Sequence, residues 1–179
     1  YEASDSLTLY GGWTSGWDTG FDRGADGSNF LGGISLHLID CCTLTYVTTA
    51  GNLGWRGDGY THSLVLDVSV TDRWNYVLQS NYVSTNGFYA ANWGRFFDDI
   101  LNDDIGVNQY LIYRLNDCFG VAGRVEWWKQ DGVSVNECTF GVNYKPLANF
   151  IVRPELRHQW APAANYDETI FGIDMVVTY

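Results

Sequence analysis

The side chains able to do chemistry in this chain are three histidines, four cysteines, and arginines and carboxylates interleaved with apolar residues. The histidines are His37, His62 and His158. His62 adjoins Ser63, the pairing a hydrolase would use. Neighbours on one strand point to opposite faces, so no direct relay joins them. No Ser/His/Asp spacing stands out, and no glycine-rich phosphate loop opens a helix. The chain therefore reads as no enzyme. Cys41, Cys42, Cys118 and Cys138 lack C-x-x-C spacing. They read as small apolar fillers, with disulfides open to them only in an oxidising compartment. No cofactor and no metal is expected.

Charges carry more information. Arg124 and Glu126 flank one residue, and so do Arg153, Glu155 and Arg157 in succession. On a strand that spacing puts them on one face. With Asp67, Arg114, Lys145 and Asp174 they are candidates for the lining of an aqueous pore. One reading is a wall that sets ion preference. The other is a set of salt bridges bracing a narrow interior. Arginines 114, 124, 153 and 157 on one wall imply a weak preference for anions. A second group lies in Thr85–Asp104, with Phe88, Tyr89, Trp93, Phe96, Phe97, Asp98, Asp99, Asp103 and Asp104. It reads as a long, solvated loop. Its functional alternatives are an inward constriction, a contact on a neighbouring subunit, or oxygen ligands for a divalent cation.

Several features say what positions these residues. The 179 residues include 20 glycines, 3 prolines and 16% aromatics, with a formal net charge of −11. Ten basic residues in all argue against nucleic acid as a partner. No apolar run is long enough for a transmembrane helix. A mean hydropathy of −0.16 fits either a soluble β protein or a barrel, whose strands average out. The opening Tyr1-Glu2-Ala3-Ser4 has no leader character. A leader has been removed, or the chain starts inside a longer precursor.

Period-two segments alternate with turns along the whole length. About ten strands are expected, most of them about 9–11 residues long, the length that crosses a bilayer when tilted. They are Leu7–Trp17, Phe30–Leu38, Cys42–Ala50, Tyr60–Val70, Trp74–Val83, Ile105–Leu115, Phe119–Trp128, Val135–Lys145, Phe150–Trp160 and Thr169–Tyr179. Short and long connections alternate, as periplasmic turns and outer loops do. Apolar-face aromatics collect near the short turns (Trp74, Tyr76, Tyr113, Phe119, Tyr144, Phe150, Tyr179). Others collect near the long loops (Trp17, Phe30, Tyr60, Tyr82, Trp127, Trp160). Aliphatic residues lie between, with Tyr46 the exception. Two aromatic girdles around an aliphatic band describe lipid outside a barrel. Pro154 cannot donate to a ladder and predicts a bulge or break. Ser80 and Gln109, both on the apolar face, are candidates for a mutual cross-strand bond or for a subunit seam.

Most of the chain, and residues 105–179 most strongly, resembles the OmpL-like family of outer-membrane β-barrel porins. The likeness rests on Tyr113-Arg114-Leu115-Asn116-Asp117, Arg124-Val125-Glu126-Trp127-Trp128 before Asp131-Gly132, and Thr139-Phe140-Gly141-Val142-Asn143-Tyr144-Lys145-Pro146. It continues through Arg153-Pro154-Glu155-Leu156-Arg157 and Phe171-Gly172-Ile173-Asp174 to the terminal Tyr179. The earlier Leu7-Thr8-Leu9-Tyr10-Gly11-Gly12-Trp13 is similar in style. The resemblance implies passive transport across an outer membrane and adds no catalytic residue. Members of that family are longer than this chain, which leaves the strand count of a closed barrel open.

The expected fold is thus all-β, a transmembrane antiparallel up-and-down β-barrel in one domain, residues 1–179, alone or as part of a larger barrel. The expected function is a porin for ions and small polar solutes in the outer membrane of a Gram-negative-type cell. Outer-membrane lipid is the expected partner, with a homo-oligomer as the further one. A structural or adhesive barrel with a plugged lumen is the alternative, and a soluble β-sandwich binding module the third reading. Closure requires that the first and last strands pair, or that further strands complete the barrel.

Overall fold

A computed structural model describes residues 1–17, 27–90, 95–130 and 132–178, and side chains at 88–102 and 130 fall outside that description. Trp93 and Tyr179 lie outside the described residues. The described residues form one antiparallel sheet of eleven strands in which each strand pairs with its sequence neighbours. The first five are β1 (Glu2–Ser4), β2 (Leu7–Thr14), β3 (Ser28–Ile39), β4 (Cys42–Asn52) and β5 (Asp58–Ser69). The longest are β6 (Trp74–Ala90) and β7 (Arg95–Arg114). The remainder are β8 (Phe119–Gln130), β9 (Val133–Leu147), β10 (Phe150–Ala161) and β11 (Tyr166–Val177). Among the described residues two single-turn 3-10 segments, Gly54–Arg56 and Pro162–Ala164, interrupt outer connections.

Four expectations change. The extra strand is β1, folded back on β2, with the Tyr1 amino group donating to Leu9 O at 2.9 Å. The long loop Thr85–Asp104 is replaced for most of its length by strand, because β6 continues to Ala90 and β7 begins at Arg95. Backbone pairing is indifferent to which side chains it carries, so a ladder can run on beyond lipid where both faces meet water. The irregularity expected at Pro154 is partial. The ladder to β11 passes through Pro154↔Ile173 unbroken, whereas that to β9 steps from Val152↔Tyr144 to Glu155↔Gly141. The register shift itself lies nearer the short turn, between Phe150 and Val152. Finally, the order begins with β1 and ends with β11, and among the described residues no ladder joins the two.

Burial is inverted relative to a water-soluble domain. Among the described residues the buried apolar side chains are Leu53, Val83 and Ala161, while Asn29, Ser35, Arg56, Thr61, Thr85 and Glu137 are buried polar ones. Large apolar side chains such as Phe171 (69% exposed), Met175 (64%) and Leu156 (53%) stand outward. Such a surface suits lipid and not water.

The chain divides into two compact units, Tyr1–Val65 with Ser80–Ile105, and Leu66–Gln79 with Gly106–Tyr179. In the first, one face carries a row of side-chain hydrogen bonds: Ser35 to Thr45 at 2.9 Å, Thr49 to Thr61 at 2.8 Å, and Ser63 to Asn81 at 2.8 Å. We call this polar side the inner face. The outer face groups Tyr46, Tyr60 and Tyr82 around His62, with ring centroids 5.2–6.4 Å from the imidazole. His62 bonds Tyr46 while Ser63 bonds Asn81, so the two neighbours do face opposite ways.

In the second unit, aromatics pair at the short-turn end, Trp74 with Tyr113 at 4.4 Å and Phe119 with Tyr144 at 4.6 Å between centroids. Side chains close the short turns. Thr71 Oγ1 accepts from Arg73 N and Trp74 N at 3.2 and 3.1 Å, and Asn116 Oδ1 accepts from Cys118 N and Phe119 N at 2.9 Å. All four cysteines are free thiols, and Cys138 is exposed, paired across the strands with Val125 and His158.

The two faces should tolerate charge very differently. Leu156→Arg, on the outer face near mid-strand, is expected to cost about 2–4 kcal/mol of folding free energy in lipid vesicles. Asn143→Arg, on the inner face, should cost much less. Urea titration followed by tryptophan fluorescence checks both.

Candidate functional site

The inner face of β8 to β11 holds the densest set of charges. Period-two alternation brings them there. Register then aligns Arg124 with Thr139 and Arg157, and Glu126 with Glu137 and Gln159. Glu126 and Glu137 are therefore directly opposed carboxylates, an arrangement that repels unless something bridges it.

Arg124 and Gln159 supply the bridge. Glu137, with its side chain 7% exposed, accepts hydrogen bonds from Arg124 Nη2, from Thr139 Oγ1 at 2.7 Å and from Gln159 Nε2. Arg157 Nε lies 3.6 Å from the same carboxylate, and Arg124 Nε lies 3.7 Å from Glu126. Arg157 Nη2 donates to Glu155 at 2.7 Å. Nearer the short turns Arg153 forms a two-pronged pair with Asp174, at 2.7 and 2.6 Å. The Arg124 guanidinium also lies 5.9 Å from the Tyr110 ring centroid.

Of the pore-lining candidates, Arg124, Glu126, Arg153, Glu155, Arg157 and Asp174 thus come together on one face. Arg114 sits apart at the short-turn end, where its Nη2 donates to Asp72 O at 2.6 Å. Arg114, Lys145 and Arg153 border a cavity of about 370 Å³ there. Asp67 is exposed on β5 and is not a member of the network. Above the Glu137 hub, Trp128 and Tyr166 join Arg124, Arg157 and Gln159 around a larger cavity of about 690 Å³. The wall combines separated positive and negative groups with aromatic surface.

Glu137 was not among the sequence candidates. Val133 and Val135 share its parity, so the outer half of β9 hides which face is polar. Thr139, two residues on, carried the only local signal. The acidic segment also resolves differently from expectation. Asp104 pairs with Arg56 at 2.6 Å. Gln109 Oε1 accepts a hydrogen bond from Tyr76 Oη at 2.9 Å. Tyr76 lies on the same outward face of β6 as Ser80. Ser80 itself is half-buried on β6.

Comparisons with known proteins agree with this geometry. A family model described as "Putative beta-barrel porin-2, OmpL-like" matches residues 1–179. No curated protein matches. Among solved structures, the NanC porin in a rhombohedral crystal form is similar, with 13% identity and a TM-score of 0.61. The match covers 97% of this chain and 93% of that one, and at this identity it shows the fold alone.

The hub carries a stability prediction. Removing one partner of a buried pair leaves the other uncompensated, so Glu137→Ala is expected to cost about 3 kcal/mol. Remaining contacts of Arg124 with Glu126 and of Arg157 with Glu155 hold the loss at the low end. A double-mutant cycle with Arg124→Ala, read by urea unfolding, should return a coupling of about 1–3 kcal/mol.

Proposed function

Since this chain belongs to the OmpL-like β-barrel porin-2 family, we propose that it is a passive outer-membrane porin that admits ions and small polar solutes. The observation that carries this reading is an inner wall of charge and polar side chains on strands whose other face is exposed and apolar. Charge set against lipid would be expelled, whereas charge set against water can line a path. The host is a Gram-negative-type cell, and outer-membrane lipid is the partner of the apolar face. Within the wall Arg124, Glu126, Arg153, Glu155, Arg157 and Asp174 act as pore-lining groups, joined by Glu137. Arg114, Lys145 and Asp67 contribute outside that cluster.

Pairing sets the expected selectivity. Arg124, Arg153 and Arg157 face Glu126, Glu137, Glu155 and Asp174, so the cluster has three cations against four carboxylates. Arg114 and Lys145 add positive charge nearer the short turns. A wall so nearly balanced selects weakly. The second reading, a barrel plugged by its own ion pairs, draws on the same hub, because Glu137 is held by groups from three strands.

Planar-bilayer recordings under a salt gradient test both. The parent should conduct, with a reversal potential close to zero. Arg124→Ala combined with Arg157→Ala leaves the carboxylates in excess and should move the reversal potential toward cation preference. An unchanged reversal potential would remove the arginines from the wall. Absence of conductance in the parent would favour the plugged barrel.

A further inference from the structure

Two aromatic rings stand on the polar face near its outer end. Trp128 and Tyr166 are 40% and 38% exposed there and border the cavity of about 690 Å³ above the Glu137 hub. Register explains the cavity. Trp128 pairs with Val135 and Tyr166 with Ala161, while Trp160↔Asn136 carries Ala161 beside Val135. The two rings therefore rise from the first and last of four adjacent strands, β8 and β11, over small side chains on β9 and β10. At one strand spacing per step their backbones lie about 14 Å apart. The result is a trough with aromatic sides, built wholly within the unit Leu66–Gln79 with Gly106–Tyr179.

The next row of the inner face is acidic. Glu126 pairs with Glu137, Glu137 with Gln159, and Gln159 with Glu168. The arginines come one row further, with Arg124 and Arg157 both level with Thr139. Their charge is engaged, Arg124 with Glu137 and Glu126, Arg157 with Glu155 and Glu137. Lys129 adjoins Trp128, but alternation turns it to the other face. Tyr166 Oη donates to Glu168 Oε2 at 2.6 Å, and among the described residues no basic side chain pairs with Glu168. A solute in the trough thus meets rings at its sides and carboxylates beneath.

Rings and carboxylates together select by charge. An alkylammonium is attracted to the negative face of an indole or phenol and to a nearby carboxylate, while its methyl groups cover ring surface. Across the acidic and basic rows Glu126, Glu137 and Glu168 outnumber Arg124 and Arg157. An anion entering from the outer end meets the carboxylates first and is repelled. A neutral sugar would stack on the same rings but draw nothing from that excess of negative charge.

We propose that the trough between Trp128 and Tyr166 is a binding site for small organic cations of the quaternary-ammonium class. Trp128 and Tyr166 supply the ring faces, and Glu126 and Glu168 supply the charge. The inference names a solute class for the proposed porin and rests on that reading for its role in transport. Binding itself needs only this wall, so the two are tested apart.

The probes are choline and its uncharged isostere, in which carbon replaces the quaternary nitrogen. Each is titrated by calorimetry into the full chain folded in a polyoxyethylene detergent, with folding verified by heat-modifiable gel migration. Choline should bind, and the isostere should bind about tenfold more weakly. Trp128→Leu and Tyr166→Leu should each weaken choline about fivefold. Tyr166→Phe keeps the ring and should stay within about twofold of the parent. Glu168→Gln should weaken choline about threefold at low salt and less at high salt. Equal binding of choline and isostere, or choline binding unmoved by every folded variant, overturns the site, and so does a folded parent that binds neither. Planar-bilayer conductance is read separately. A parent that conducts without binding choline loses this site and keeps the porin reading. One that binds choline without conducting keeps the site and loses the porin reading.

Discussion

A strand in lipid must hand every backbone N–H and C=O to a neighbouring strand, because no water is there to accept them. This constraint shapes the whole molecule. It explains why each strand pairs with its sequence neighbours, since short turns close those ladders at the least entropic cost. It also splits each strand into two faces of period two, one apolar and one polar. Pro154 shows how little slack the ladder has: its missing N–H leaves a gap on the β9 side only, while pairing to β11 runs through.

The polar face then faces its own problem. Register sets Glu126 opposite Glu137, and a one-residue slip that would separate them would turn every apolar residue inward. Arg124 and Gln159 resolve the repulsion from the strands on either side of Glu137. The buried part of this network holds β8, β9 and β10 to one arrangement. The Arg153–Asp174 pair has good two-pronged geometry, but its side chains are 48% and 56% exposed. Water screens it, so its contribution is to the local field of the wall more than to stability.

At the outer end the same ladder continues past the need to cross lipid. β6 and β7, at 17 and 20 residues, exceed the other strands, and β7 carries Asp104 to the turn that holds Arg56. An ion pair that looks peripheral in sequence thus becomes buried, because the hairpin brings one partner to the other.

Alternation of residue types determined much of this from sequence alone. The all-β class, the apolar outer face, the aromatic pairs Trp74–Tyr113 and Phe119–Tyr144 at the short-turn end, and the shared face of Arg124, Glu126, Arg153, Glu155 and Arg157 follow from spacing. Period two is a local property and needs no knowledge of partners. Partner identity does need it. Glu137 as hub, Tyr76 as the partner of Gln109, and Asp104 as the seat of Arg56 depend on inter-strand register, and no single segment contains that. The extended β6 and β7 escaped notice for the converse reason: Asn, Gly and Asp suggest a loop, while the ladder that orders them is made by backbone groups every residue shares.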